Sequence, residues 1–223
     1  MTLERIAEYL ITIPAVLIVI MFHELAHGIA ANRLGDPTAR RMGRLTLNPL
    51  KHLDLIGTIC MVLFRFGWAK PVPVDPRYFR NPKRDMALTA LAGPLINFLL
   101  AFLTIPLFFW AQRGFLEAVI SNGPASFGAR FLEVLCDFLA IFHSVNLGLG
   151  LFNLLPLPPL DGSRILFAFL PDRYYYTIMR YERYFALGLM LVLLLGVNLG
   201  FLHSISSTIS YRMQSFWLRL PIF

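Results

Sequence analysis

Four long apolar stretches constrain the fold of this 223-residue chain more than any other feature of its sequence. They cover residues 8–33, 86–110, 132–155 and 183–204. A helix needs about 20 apolar residues to cross a bilayer, and each stretch is long enough. Because lipid offers no hydrogen-bond partners, a spanning segment must satisfy its backbone groups internally, as a helix does. The sequence therefore predicts an all-α polytopic membrane protein.

Composition supports the same fold class. Hydrophobic residues make up 57% of the chain and charged residues 15%, whereas soluble domains carry about 45–50% and about 25%. No segment is polar enough to form a soluble domain, so we expect a single integral membrane domain over residues 1–223. The shorter apolar piece at 55–67 predicts a re-entrant or oblique helix. The tail, 205–220, is expected to be interfacial, with a further span as the alternative.

The net charge of +7 is distributed unevenly along the chain. Fourteen of the 20 basic residues fall in segments on one side of the predicted spans, five fall on the other side, and Arg65 lies inside the short apolar piece. The positive-inside rule places the richer side, including most of 33–84, in the cytoplasm and the N-terminus outside. The basic residues form no stripe on a soluble module, so nucleic-acid binding is not expected.

A short motif interrupts the first apolar stretch: His23-Glu24-Leu25-Ala26-His27, or H-E-x-x-H. Residues four apart share one face of a helix, so both imidazoles can reach one metal ion. Glu24 is then close enough to accept a proton from a metal-activated water. Ionisable residues in a span are costly and usually functional. The alternative is a pair of buried histidines that bond to neighbouring helices.

A zinc site needs a third protein ligand and, when catalytic, an open fourth position. Asp161 is the best candidate, because it follows an apolar stretch whose three prolines end the third span. The alternative for Asp161 is a helix N-cap before residues 163–170. Cys60 and Cys136 are isolated thiols in apolar surroundings and are poorer candidates.

Two short segments near the membrane surface have the pattern of extended chain. Residues 43–48 alternate in period two, and Pro71 and Pro73 confine 69–74 to an edge or irregular strand. They predict a small membrane-associated β-hairpin or sheet, with a plain surface loop as the alternative. Because enzymes that cut a peptide backbone often hold it as an added strand, these segments are candidates to receive substrate.

Three polar residues in the later spans have less specific patterns. Asn97 either faces a cleft or bonds one helix to another. Asn146 lies seven residues before Asn153, on the same helix face, and is expected to make a packing bond. His143 is expected to be structural.

With these motifs, the chain resembles the site-2 protease family of zinc intramembrane metalloproteases. The resemblance rests on the H-E-x-x-H helix, on Gly93-Pro94-Leu95-Ile96-Asn97 in the second span, and on the Asn153-to-Gly162 stretch that ends in Leu-Asp-Gly. Residues 66–74 resemble the compact prokaryotic branch of the family. The resemblance covers roughly residues 10–170.

The resemblance implies a function and a site. It makes His23, His27 and Asp161 ligands of Zn²⁺, Glu24 the catalytic acid and base, and Asn153 a hydrogen-bond donor to the scissile carbonyl or its oxyanion. It also implies a three-helix catalytic core within about 8–170, with accessory helices in 171–223. The substrate would be a membrane-tethered protein with a single span, commonly trimmed first by another protease. The expected location is the prokaryotic plasma membrane, with the active site toward the cytoplasm.

One departure and two alternatives accompany this resemblance. The sequence shows no room for a PDZ domain between spans or for a C-terminal CBS domain, so substrate selection is open. A zinc-binding scaffold or transporter is the first alternative, but a scaffold needs no base beside its histidines, and we find no internal repeats typical of transporters. A prenyl-protein-type metalloprotease would need a late Glu ligand, and Glu182 follows an Arg/Tyr cluster that places it poorly.

Overall fold

The computed structural model describes residues 3–54, 57, 70–195 and 200–221. The helices in this part of the chain are α1 (Leu3–Arg33), α2 (Thr38–Arg41), α3 (Pro82–Asn122), α4 (Phe127–Asn153), α5 (Asp161–Phe167), α6 (Asp172–Arg180), α7 (Glu182–Leu194) and α8 (Gly200–Leu218). Two short 3₁₀ helices, Pro49–His52 and Pro76–Tyr78, lie between α2 and α3. The all-helical prediction is confirmed.

Three helices of the described chain are long and apolar enough to cross a membrane: Tyr9–Arg33 within α1, all of α3 and all of α4. They correspond to the first three predicted spans. The fourth predicted span, 183–204, differs, because α7 ends at Leu194 after 13 residues and Leu195 lies in a turn. Residues 196–199 of that prediction lie outside the described part of the chain. The tail expected at the interface forms most of α8.

The faces of α3 show how such a helix suits lipid. Leucines four residues apart form one stripe, and about half of each side chain's surface is exposed; they are Leu95, Leu99, Leu103 and Leu107. The opposite face is buried and includes Asn97 and Ala101. A contiguous apolar stripe on the outside is unusual for a soluble monomer but is natural against hydrocarbon. The long apolar helices and their exposed leucine stripe are therefore those of a membrane protein.

The predicted β-hairpin or sheet is not confirmed, since the described residues contain no strand. Residues 43–48 form a turn and bends, beginning at Gly43 with φ of 63°. Residues 70–75 form no regular element, and Pro71 and Pro73 have no N–H with which to build a ladder. The predicted helix at 55–67 lies outside the described residues, apart from Gly57.

Two compact units divide the chain, and the first comprises Met1–Val19, Asn97–Leu149 and Phe201–Phe223. Within it, Asn97 Nδ2 donates to Asn146 Oδ1 over 3.3 Å. His143 contacts the Ala101 carbonyl at 2.9 Å and Ser210 Oγ at 2.8 Å. These bonds show that Asn97 joins helix to helix and that Asn146 and His143 have structural roles.

The second unit comprises Ile20–Ile96 and Gly150–Gly200. It contains the C-terminal part of α1, the beginning of α3, and the proline-rich turn that leads into α5. Within that turn the Pro158–Pro159 peptide bond is cis. All the residues predicted for the metal site fall in this unit.

Candidate metal centre

Three side chains converge at the C-terminal half of α1: His23, His27 and Asp161. The two Nε2 atoms of the histidines are 3.0 Å apart, and their rings meet edge to face. Asp161 Oδ2 lies 3.2 Å from His23 Nε2 and 3.3 Å from His27 Nε2. The histidines come from successive turns of one helix, whereas Asp161 arrives from a distant part of the sequence.

These distances and atom types fit zinc. Ligand atoms at about 2.0–2.1 Å from a tetrahedral Zn²⁺ lie about 3.3 Å from one another, close to the three distances observed. Imidazole nitrogen and carboxylate oxygen are both preferred zinc ligands. Asp161 Oδ2 is buried and accepts no hydrogen bond of regular geometry, as expected of an atom that binds a cation. Three protein ligands leave a fourth position, as a catalytic site requires.

The orientation of His27 is set by α3. Its Nδ1 lies 2.8 Å from the backbone carbonyl oxygen of Thr89. A carbonyl can only accept, so Nδ1 carries the hydrogen and the lone pair of the neutral ring is on Nε2, which faces Asp161. Such a second bond fixes both the tautomer and the direction of a metal-binding histidine.

Gly93 allows α3 to pass close to both rings. A Cβ at this position would lie 2.5 Å from His27 Nε2 and 2.6 Å from His23 Cε1, so no other residue fits without displacing a ring. The Gly-Pro-Leu-Ile-Asn segment was recognised only by resemblance. The structure explains why this segment has a glycine: the backbone of α3 comes too close to the candidate metal centre for a side chain to fit.

Asp161 is the first residue of α5, and the preceding Leu160 occupies the N-cap position without a side-chain capping bond. The N-cap alternative for Asp161 is therefore wrong, because its carboxylate faces the histidines instead. Gly162 permits a tight return of the chain, since a Cβ there would lie 2.1 Å from the Leu154 carbonyl oxygen. The proline-rich turn and the start of α5 are thus packed backbone against backbone.

Glu24 follows the first histidine on α1 and is half-buried. Its Oε2 accepts a hydrogen bond of 2.7 Å from the backbone N–H of Val72. Val72 belongs to the irregular segment before the second 3₁₀ helix. This hydrogen bond restrains one carboxylate oxygen of Glu24, the predicted proton acceptor.

The remaining candidates lie as follows. Asn153 is the last residue of α4 and is half-buried, and its predicted role stays a prediction. Glu182 forms an ion pair of 2.7 Å with Arg164, which argues against the late glutamate ligand that a prenyl-protein-type site would need. Sequence reasoning missed Thr89 and Val72, because both act through backbone atoms that leave no signature in side-chain chemistry.

The fold and the site together define a class of protein. It is a helical membrane protein in which a candidate metal centre suited to zinc is built partly on a spanning helix. The carboxylate of Glu24 follows the first candidate ligand, His23. A family model described as "Peptidase family M50" matches residues 11–197. The chain therefore belongs to peptidase family M50.

Two relatives are similar to the chain. "Putative zinc metalloprotease YwhC" of Bacillus subtilis is 46% identical over 148 residues, which cover 65% of this chain and 62% of the relative. "Putative zinc metalloprotease Rip2" of Mycolicibacterium smegmatis is 30% identical over 168 residues, 72% of this chain and 57% of the relative. The chain thus spans about three fifths of the length of these relatives. No solved structure is significantly similar to it.

Proposed function

We propose that the chain is a zinc endopeptidase that hydrolyses peptide bonds in or near the transmembrane segments of membrane-tethered proteins. The observation that carries the proposal is the convergence of three ligand atoms, His23 Nε2, His27 Nε2 and Asp161 Oδ2, within 3.3 Å of one another. Glu24, next to His23, adds a group that a purely structural metal site does not need. Membership of family M50 supports the same reaction class.

In the proposed mechanism His23, His27 and Asp161 hold the metal. A bound zinc ion supplies Lewis acidity, polarising a peptide carbonyl and making water acidic enough to lose a proton near neutral pH. Glu24 takes that proton and later delivers it to the leaving amine. Asn153, in the role that the family resemblance implies, donates a hydrogen bond to the carbonyl oxygen as negative charge develops there.

The proposed substrate is a single-span membrane protein, commonly trimmed beforehand. Its helix must unwind locally, because an intact helix shields its carbonyl groups. Of the two segments proposed to receive the unwound strand, 43–48 consists mainly of a turn and bends, so 69–74, described from residue 70 onward, is the better candidate. Strand pairing there is limited, since Pro71 and Pro73 have no N–H and the Val72 amide is bonded to Glu24.

We further propose that the protein lies in the prokaryotic plasma membrane with its metal centre toward the cytoplasm. The support is the excess of basic residues on one side of the spans, 14 against five. His27 lies six residues before the end of α1, at the end next to that basic side. We propose a single membrane metalloprotease domain over 1–223, with a core at about 8–170 and accessory helices in 171–223.

Substitution of Glu24 by Gln tests the proposal. The purified protein in liposomes, with zinc and a tagged single-span model substrate, is expected to lose at least about 100-fold in cleavage rate, the usual scale for removing a general base. Zinc content, measured by elemental analysis, should be unchanged, because Glu24 is not a proposed ligand.

The matched control is Glu117→Gln, since Glu117 is an exposed side chain that only approaches Arg113 at 3.8 Å. This variant should cleave as fast as the unsubstituted protein. Equal cleavage by the Glu24→Gln protein would rule out Glu24 as the proton acceptor. No cleavage by the unsubstituted protein would favour a zinc-binding scaffold instead.

A further inference from the structure

Residues 70–75, here called the strap, cross α1 next to Glu24. Val72 is buried, and a Cβ on Gly28 would lie 3.2 Å from its Cγ1, so the strap lies against the face of α1 one turn beyond Glu24. Because prolines stand on both sides of Val72, its amide is the single N–H in the sequence Pro71-Val72-Pro73. That one donor is bonded to Glu24 Oε2 at 2.7 Å.

The first end of the strap is held by Arg44. Its side chain is buried, and Nη2 donates to the carbonyl oxygen of Lys70 at 2.7 Å and to that of Pro71 at 3.4 Å. The Lys70 N–H also donates to the carbonyl oxygen of His52 at 2.9 Å. Bonds from a charged donor are stronger than neutral ones, so Arg44 restrains the backbone just before Val72.

The other end is held by Asp36, which is completely buried. Asp36 Oδ2 accepts from the Asp75 N–H at 2.7 Å. Its Oδ1 accepts from the Thr38 N–H at 2.9 Å and from the Thr38 hydroxyl. The Asp36 N–H itself donates to the Ala31 carbonyl of α1 at 2.9 Å. Asp36 therefore ties the strap to the end of the helix that carries Glu24.

Neither of these charged residues belongs to the metal centre, yet both are buried, which is costly without a compensating role. We propose that Asp36 and Arg44 are positioning residues: they hold the strap at both ends so that the Val72 amide fixes the Glu24 carboxylate for proton transfer. This inference rests on the proposed endopeptidase function. With one carboxylate oxygen held by the amide, the other is left to accept the proton of water.

The energetic reason lies in the geometry that proton transfer requires. A general base works within about 2.6–3.2 Å of the proton donor, and a displacement of about 1 Å lowers a rate by about 100-fold. A glutamate side chain on a helix surface has several rotamers and loses this freedom only when bonded. The strap supplies that restraint from backbone, which has less freedom than a side chain.

The first test separates the Val72 amide from the Val72 side chain. Val72→Pro removes the donor to Glu24, and Val72→Ala keeps the donor but removes packing against α1. We expect Val72→Pro to lower kcat by between about 10- and 100-fold, and Val72→Ala by less than about threefold. Zinc content should change little in either, because no metal ligand is removed. A rise in KM in place of a fall in kcat would indicate that the strap binds substrate and does not position Glu24, and would overturn the inference.

The second test concerns the anchors. Asp36→Ala and Arg44→Ala should each lower kcat by at least about tenfold, with KM and zinc content within about twofold of the unsubstituted values. Asp36→Asn and Arg44→Lys should recover part of the loss, since each keeps one of the bonds. Arg41→Ala, an exposed neighbour of the same charge, should leave kcat unchanged.

A double variant distinguishes positioning from a loss of folding. If Asp36 acts through Glu24, Asp36→Ala should reduce the residual rate of the Glu24→Gln protein by less than about twofold. A general structural role would lower it further and would also lower zinc content.

Unchanged kcat in Val72→Pro, Asp36→Ala and Arg44→Ala would overturn the inference while leaving the endopeptidase function intact, provided that Glu24→Gln is inactive. A higher kcat in these variants would also overturn it, because the strap would then restrain Glu24 from acting. Failure of the unsubstituted protein to cleave would instead count against the proposed function itself.

Discussion

The tightest constraint on the candidate centre is the space at a single residue, Gly93. The backbone of α3 approaches both imidazole rings there, and a Cβ would come within 2.6 Å of each. The rings cannot move away freely, because His27 is also bonded to the Thr89 carbonyl. Because Gly93 has no side chain, α3 can lie against both proposed ligands, so its position and the orientation of the two rings depend on each other.

Gly93→Ala is expected to weaken zinc binding by about 10- to 100-fold, the usual effect of disturbing groups that orient metal ligands. It should also lower the thermal unfolding temperature. Competition with a chromophoric chelator measures the first effect, and thermal unfolding in detergent measures the second.

Gly148→Ala is the matched control, since Gly148 lies in α4 and a Cβ there would meet nothing within 4 Å. Alanine favours helix over glycine by about 0.5–1 kcal/mol, so this variant should be as stable or slightly more stable. Zinc affinity in Gly93→Ala equal to that of the control would show that the rings can shift without loss.

At the scale of elements, the turn between α4 and α5 determines where Asp161 lies. α4 ends at Asn153, and the chain returns through the proline-rich turn to begin α5 at Asp161. Backbone contact at Gly162 closes this turn, and the Ser163 hydroxyl donates to the Leu160 carbonyl at 2.7 Å. The carboxylate is therefore positioned by main-chain packing rather than by a capping bond.

Gly162→Ala should release zinc, because a methyl group 2.1 Å from the Leu154 carbonyl oxygen forces either the turn or α5 to move. Backbone contacts of this kind cannot be relieved by a side-chain rotation. Elemental analysis of the purified protein should show a lower zinc content than in Gly188→Ala, a variant of α7 where a Cβ meets nothing within 4 Å. Full zinc occupancy would mean that the turn adapts without moving Asp161.

Prediction of the elements from sequence was best where hydropathy is strong. The cores of α1, α3 and α4 were expected, but α3 continues to Asn122, well beyond the predicted end at residue 110. Its extension contains Arg113 and Glu117, and hydropathy detects only the apolar part of a helix. The fourth predicted span, 183–204, differs for another reason: α7 ends at Leu194 within a run of apolar residues, and hydropathy alone does not locate such an end.

At the scale of the whole molecule, the exposed leucine stripe of α3 indicates that the helix is surrounded by lipid. Leu103 lies near the middle of α3, and Ile120 is two residues from its end; both side chains are exposed. If the stripe faces hydrocarbon, a charge at its centre costs about 2.5–3.5 kcal/mol. A long cationic side chain near the helix end can instead extend to the interface.

Leu103→Lys is therefore expected to reduce the fraction of protein that resists alkaline extraction from membranes, whereas Ile120→Lys should not. The two variants add the same side chain to exposed positions of one helix, so they differ chiefly in depth. Equal membrane integration of both would place Leu103 in a polar environment and contradict the lipid-facing assignment.

Hydropathy and the spacing of His23 and His27 were sufficient to predict a helical membrane protein with two potential ligands on one helix face, because both signals are local in the chain. Contacts between distant segments were beyond that information. The approach of Asp161 to the histidines, the choice of Thr89 and Val72 as partners, and the burial of Asp36 and Arg44 all depend on how separate segments pack. Several of these partners are backbone groups, which every residue carries and which only folding makes specific.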